Sequence, residues 1–203
     1  MTRLTASDRA AHFDGLFAAD PDPWGYRIRW EEEAKRRAVG GALGSGRRGR
    51  VLEIGCGNGE STRHLLHAAH RLDAIDGSAT AVALAQRAVA GRPRCSVWRA
   101  TLPSGFPDAR FDAIIATEVL YYLGGRDLCE VLRRMKAALE PSGVLVATAC
   151  LRPFPDRATG HAELFGQLRA SFGQPVRSVC GGAWRLEAYR ANGRQRHGLG
   201  RHW

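Results

Sequence analysis

The sequence predicts an α/β fold: a doubly wound sheet of seven strands, mostly parallel, with an antiparallel C-terminal hairpin and a short helical lid ahead of it. Three observations carry this. From Arg50 onward, strand-length apolar runs alternate with stretches of helical periodicity. The run VLEIGCGNGE, Val51 to Glu60, passes from a strand into a loop with Gly55, Gly57 and Gly59 at alternate positions. Toward the end the alternation breaks, and two short strands follow each other across Gly181, Gly182 and Ala183, as in a hairpin.

RVLEIG reads as the first strand and STRHLLHAA as the helix after it. RLDAID is the second strand. SATAVALAQRAVAG is a helix with Ser78 as its N-cap, where a hydroxyl can accept a first-turn N–H. CSVW is the third strand, and FDAIIAT the fourth, apolar throughout as a strand buried on both faces must be. RDLCEVLRRMKAALE places Leu128, Val131, Leu132, Met135 and Leu139 at helical spacing, and Pro141, Ser142 and Gly143 then turn into GVLVATAC, the fifth strand. HAELFGQLRASF is a helix, and PVRSVC and WRLEAYRA form the hairpin. Ahead of the sheet, SDRAAHFDGLFAA and WEEEAKRRAVGGAL are two helices joined by DPDPWGYRIR, whose prolines forbid a continuous helix. The expected organisation is a lid segment over 1–49, the α/β domain over 50–191, and a flexible basic tail over 192–203 containing Arg194, Arg196 and Arg201.

Composition narrows the function classes. A chain of 203 residues with 44% hydrophobic content can bury a full core, and no apolar run approaches the ~20 residues of a membrane span. MTRLTASDRAAHF has no apolar signal region, and Cys56, Cys95, Cys129, Cys150 and Cys180 lack metal-ligand spacing; a cytoplasmic protein with reduced thiols and no metal is expected. The net charge of +10 invites a nucleic-acid reading. Yet only Lys35 and Lys136 among the 30 basic residues are lysine, and the arginines are dispersed outside GRRGR and the tail. Coding bias and solvated charge account for them better than a nucleic-acid groove.

In an open parallel sheet, ligands collect outside the carboxyl ends of the strands. The loop after the first strand leaves at that end. Its third glycine comes one residue too early for the dinucleotide fingerprint, with Glu60 at the fingerprint position, and no phosphate-binding lysine follows. Glu53 in the approaching strand suits a cationic ligand. Asp76, about 20 residues on, ends the second strand where a carboxylate can accept both hydroxyls of a ribose. Together these residues describe a positively charged nucleoside without phosphate, of which S-adenosylmethionine is the common example.

The chain from Arg50 to Ala191 resembles a class I S-adenosylmethionine-dependent methyltransferase with its Rossmann-like domain. LEIGCGNG is similar to the E/D-x-G-x-G-x-G cofactor loop, AID to the acidic end of the second strand, and FDAIIATEVLYYL to the fourth strand and its turn. LEPSGVLVA resembles the L-x-P-G-G-x-L segment before the fifth strand. The resemblance implies S-adenosylmethionine as cofactor, S-adenosylhomocysteine as product, and cofactor contacts from Glu53, Gly55, Cys56, Gly57, Asp76, Gly77, Ser78, Thr101, Leu102 and Glu118. Thr101 departs from the pattern, standing where many relatives carry an acid for the adenine amino group; Leu102 offers its backbone instead.

HFDGLFAADPDPWGYRIRWEEEAKR and TEVLYYL narrow the resemblance to the family of nodulation protein S, whose members methylate an amine of a deacetylated chitooligosaccharide. Similar small enzymes methylate amino sugars in aminoglycoside biosynthesis. The resemblance implies a small-molecule amino sugar as acceptor, with Glu118 and Tyr122 catalytic and Trp24, Tyr26, Arg27 and Tyr121 at the substrate. Simpler roles stand beside these: Glu118 against the cofactor ammonium or as a helix cap, the tyrosines as core, and Trp24, Tyr26 and Arg27 as lid packing. His161 reads as a cap or surface group, and Glu31, Glu32 and Glu33 as a solvated helix face. A non-sugar O- or N-acceptor fits the same core. An RNA acceptor lacks the NPPY-type motif, and a non-catalytic cofactor-binding module remains a further alternative. Charge weighs against a polycationic acceptor, since long-range steering would oppose it, while Asp20, Asp22, Glu31, Glu32, Glu33 and Glu118 are candidate local acids to compensate.

Overall fold

The structure, a computed structural model, describes residues 5–191; the basic tail lies outside the described residues. Helices α1 (Ala6–Ala19) and α2 (Trp30–Leu43) precede β1 (Arg48–Ile54), α3 (Glu60–Leu65), β2 (Ala69–Asp76), α4 (Ala79–Ala88) and β3 (Cys95–Arg99). Then come β4 (Phe111–Thr117), a 3-10 turn (Leu120–Tyr122), α5 (Gly125–Ala138), β5 (Leu139–Cys150), α6 (His161–Phe172), β6 (Arg177–Cys180) and β7 (Trp184–Arg190). The seven strands lie in the order β3-β2-β1-β4-β5-β7-β6. β1 to β5 are mutually parallel, whereas β7 runs antiparallel to β5 and to β6. The expected sheet and its closing hairpin are both present.

Alternation along the central strands assigns side chains to two cores. Leu52, Ile54 and Ile114 pack with α5 and α6 residues such as Leu128, Val131, Leu132, Leu164 and Phe165. Val51 and Ile115 pack on the other face with Val39 and Leu43 of α2 and Leu65 of α3. A strand apolar at consecutive positions is therefore buried twice, as β4 requires.

Two elements differ from the sequence expectation. The helix read over STRHLLHAA ends at Leu65, because Ala69 already pairs with Arg48 as the start of β2. The turn at Pro141–Gly143 lies within β5: pairing with β4 jumps from Phe111↔Leu139 to Ala113↔Val144, and the extra residues bulge.

Many arginines serve the fold. Buried Asp73 pairs with Arg50 and Arg71, and buried Glu187 with Arg169 and Arg185. Arg48 donates to the Leu43 carbonyl. With Arg47 donating to the His67 carbonyl, all three arginines of GRRGR bond within the fold, which accounts for part of the positive charge without a nucleic-acid partner.

Sheet order reverses between β1 and β4. Ile54 is level with Ile75 of β2 and Ala116 of β4. Gly55, Asp76 and Thr117 therefore leave the sheet side by side at the position where open α/β sheets bind ligands.

Candidate active site

Gly55, Gly57 and Gly59 all have positive φ, but each glycine meets a different neighbour. A Cβ on Gly55 would lie 2.8 Å from Val119, and one on Gly59 would lie 2.7 Å from the Ala85 backbone of α4. These two permit close packing of the turn. Gly57 faces Phe17 and Tyr26 of the lid segment and donates its N–H to Asp76 Oδ2 at 3.0 Å.

Asp76 also accepts from the Ser78 N–H through Oδ1 at 2.9 Å. Each carboxylate oxygen keeps an acceptor site, so two ribose hydroxyls can still be held. Burial raises the Asp76 pKa, and the Ser78 and Gly57 amides oppose that shift only in part. Ser78 itself turns away from the ligand side. Its hydroxyl accepts from Ala81 N–H as the α4 N-cap and donates to Asp14 Oδ1 of α1 at 2.6 Å. Asp14 Oδ1 takes the Thr80 N–H as well, at 3.0 Å, which latches the lid to α4. Asp14→Ala is expected to remove about 1 kcal/mol of stability, with Asp127→Ala as the comparison at the other lid contact, read by urea unfolding. An unchanged midpoint would show the latch to be idle.

Glu53 is fully buried beneath the loop, away from the cavity, and neither oxygen has a hydrogen-bond partner. Burial pushes its pKa to about 8, against a downward pull from Thr62. The unfolded chain loses this proton near 4.5 while the folded chain keeps it until about 8. Stability from this group is full below 4.5 and is lost as pH rises through that window. Glu53→Gln should flatten the decline, by about 3 kcal/mol between pH 5 and 7.5, measured as the difference in unfolding free energy from wild type. Parallel pH profiles would refute it.

A cavity of about 530 Å³ opens above these strand ends. Its walls include Gly55, Gly57, Asp76, Gly77, Thr101, Leu102 and Glu118 on the sheet side, and Phe13, Trp24, Tyr26 and Lys35 on the lid side. The volume suits a small organic ligand.

Glu118 follows β4 with φ +56, a left-handed conformation rare outside glycine and found where structure constrains a functional residue. Its Oε1 accepts from Thr148 Oγ1 and pairs with Lys35 Nζ, both at 3.1 Å; its Oε2 accepts from Tyr121 at 2.8 Å. Lys35 lies between Glu118 and Glu32, which it meets at 2.9 Å. Burial pulls the Lys35 pKa down, but the two carboxylates outweigh it and keep the ammonium charged. Burial and the Glu118 charge hold the Tyr121 phenol far above its ordinary value, so it stays a donor. Burial likewise raises Tyr122 and Tyr26.

Tyr121 and Tyr122 both line the cavity, with ring centroids 4.7 Å apart. Phe154 lies 5.1 Å from Tyr121, Phe13 4.8 Å from Tyr122, and Trp24 6.2 Å from Phe13. The result is an aromatic wall beside a carboxylate.

The structure brings Gly55, Gly57, Asp76, Gly77, Thr101, Leu102, Glu118, Tyr121, Tyr122, Trp24 and Tyr26 around one cavity. Cys56 lines a smaller adjoining chamber, with burial raising its thiol pKa. Glu53, Ser78 and Arg27 stand outside the cavity walls. Arg27 is exposed and reaches Glu60 at 3.5 Å, tying the lid to α3. His161 meets Arg157 at 3.4 Å. Lys35, Phe13 and Phe154 were not anticipated, whereas Glu32, one of the candidate local acids, does line the cavity. Glu32 faces inward to Lys35, so EEE is not a uniformly solvated face; Glu33 pairs with Arg37 on the exposed side of the same helix.

The comparisons agree with this geometry. Residues 51–143 match a methyltransferase domain family. Nodulation protein S of Rhizobium tropici is 30% identical over 161 residues, 70% of this chain. The chain spans 65% of that relative's length. The crystal structure of the N-methyltransferase NodS of Bradyrhizobium japonicum in complex with S-adenosylhomocysteine superposes with a TM-score of 0.77 at 24% identity, covering 90% of this chain and 97% of that one. A candidate methyltransferase from Pseudomonas syringae superposes with a TM-score of 0.69 at 30% identity, covering 80% and 99%. The glycine loop, the acid ending β2 and the 3-2-1-4-5-7-6 sheet thus occur together in a chain with these relatives: it belongs to the class I S-adenosylmethionine-dependent methyltransferases and is similar to nodulation protein S.

Proposed function

We propose that this protein transfers a methyl group from S-adenosylmethionine to an amine of an amino sugar, such as an aminoglycoside intermediate or a glucosamine oligosaccharide. The observation that carries the acceptor assignment is the aromatic wall of Tyr121, Tyr122, Phe154, Phe13 and Trp24 beside the anchored Glu118 carboxylate. Aromatic faces take the C–H faces of a sugar ring and attract a cationic nitrogen.

The site residues fit the cofactor. Asp76 would hold the ribose hydroxyls, and Thr101 with Leu102 would border the adenine. Lys35 and Arg36 line the chamber under the glycine loop, where the Arg36 Nε is buried without a hydrogen-bond partner and can serve a carboxylate. When bound, the cofactor supplies a sulfonium methyl open to in-line displacement. Placing the acceptor nitrogen within ~3–3.5 Å on that line supplies much of the acceleration. An ammonium has no lone pair, so the amine must first release a proton to water at the cavity mouth. Glu118 then orients the nitrogen: Lys35, Tyr121 and Thr148 already hold its two oxygens in one geometry. Tyr122, kept protonated, completes the acceptor wall.

Mass spectrometry of methyl transfer to a panel of glucosamine oligomers, aminoglycoside precursors, catechols and RNA tests the proposal. One methyl on an amino sugar, lost when that amine is acetylated, is the expected result. Methylation of a catechol hydroxyl or of RNA in place of the sugar would overturn it.

A further inference from the structure

The cavity is electrically lopsided. Its inner end carries Glu32, Asp76 and Glu118, partly offset by Lys35. Of the other charged groups lining it, Arg9 pairs with Asp127 and Asp156 with His12, which leaves the exposed guanidiniums of Arg29 and Arg152 together with the Glu31 carboxylate. Among the described residues, no carboxylate lies within ion-pair distance of Arg29, and Arg152 has only a long 4.0 Å contact to Glu31. Both are exposed.

The Arg29 stem and the Arg152 backbone are also held in place. The Arg29 stem crosses the turn at Gly25, where φ is +68 and a Cβ would stand 3.2 Å from Arg29 Cγ and Cδ. The Arg152 carbonyl accepts from Arg157 Nη2 at 2.7 Å, and the Arg157 guanidinium in turn sits 4.4 Å over the Phe154 ring. The loop bearing Arg152 is thereby braced against the aromatic wall.

From this geometry we infer that the acceptor is a phosphorylated amino sugar: the amine enters toward Glu118 while its phosphate is held at the rim by Arg29 and Arg152. The inference rests on the amino-sugar reading above. A phosphate ester near pH 7 carries about −1.5 to −2, a match for two guanidiniums, and arginine forks pair with it bidentately. Such a substrate also removes the conflict between a chain of net charge +10 and a polycationic acceptor, because the field of the protein draws in its anionic end.

The test compares kcat/KM for glucosamine, glucosamine 6-phosphate, glucosamine 1-phosphate, the carboxylated amino sugar glucosaminuronic acid and phosphoethanolamine, in the full chain and in an Arg29→Ala/Arg152→Ala double variant. Wild type is expected to favour a sugar phosphate over glucosamine by roughly 10- to 100-fold, with the ratio collapsing toward one in the double variant and shrinking with salt. Equal use of glucosamine and its phosphates, or a ratio untouched in the double variant, overturns the inference and leaves the amino-sugar reading standing. A carboxylated amino sugar preferred over the phosphates overturns the phosphate assignment. Methylation of phosphoethanolamine with no sugar accepted would do the reverse, removing the sugar and keeping the phosphate. Should no acceptor turn over, calorimetric titration with S-adenosylhomocysteine present decides: glucosamine 6-phosphate binding no tighter than glucosamine overturns the inference.

Discussion

Asp76→Ala is expected to weaken S-adenosylhomocysteine binding by roughly a hundredfold or more, measured by calorimetric titration. Two hydroxyl-to-carboxylate hydrogen bonds are lost together, each contributing about 1.5–3 kcal/mol. Asp76→Asn should lie close to alanine, because the amide turns a donor toward one of the two hydroxyls or toward the Gly57 N–H. Folding is expected to suffer less than binding, since burial already disfavours the Asp76 charge in the folded chain. The same raised pKa sets a sign for pH. Ligand affinity requires the ionised form, so it falls as pH drops through a value above the ordinary 3.8 of an aspartate. Asp76→Ala protein that binds S-adenosylhomocysteine normally would move the ribose away from β2 and undo the site as described.

Lys35→Met is expected to cost about 3–5 kcal/mol, because it leaves Glu32 and Glu118 facing each other in a partly buried site with no cation between them. For a domain of this size that corresponds to a fall in Tm of roughly 6–15 °C. Lys136, the other lysine, donates to the exposed Ser171 carbonyl, and Lys136→Met should stay within about 1 kcal/mol. Activity gives the second readout. With Lys35 gone, the Glu118 oxygens lose one of their three fixed partners, and kcat should fall more than KM rises. Rescue of Tm by a second change, Glu32→Gln, would tie the loss to charge. A Lys35→Met protein as stable as wild type would show the Glu32–Lys35–Glu118 cluster to be loosely formed.

The order of strands, the glycine loop and Asp76 were legible because each is written locally: a period, a turn residue, a carboxylate at a strand end. Ser78 shows the limit of that legibility. Its place as N-cap follows from sequence, but the family resemblance implied a cofactor contact, whereas its hydroxyl is shared with Asp14, 64 residues away. Lys35 was hidden for the opposite reason. Within EEEAKRR it looks like one more charge on a wet helix face, and only the position of α2 against the ends of β1 and β4 turns it inward. Its rarity beside 28 arginines was the one available signal. Phe13 and Phe154 belong to segments far apart in the chain, and no local pattern marks two rings as neighbours of the same tyrosine pair.

The lid also imposes an order of events. Its contacts join Arg9 to Asp127, His12 to Asp156 and Asp14 to Ser78, across 118, 144 and 64 residues. During synthesis α1 and α2 emerge before any strand exists to receive them, and the last of these partners appears only after β5 is complete. Two short helices gain little stability alone. α2 is nonetheless a core element, since Val39 and Leu43 pack on Val51 and Ile115, whereas α1 is held by these three polar contacts and by buried Ala10 and Phe17. The wall that α1 gives the site is completed only once the chain has been made as far as Asp156, and of the two helices α1 is the one whose contacts open without exposing the sheet.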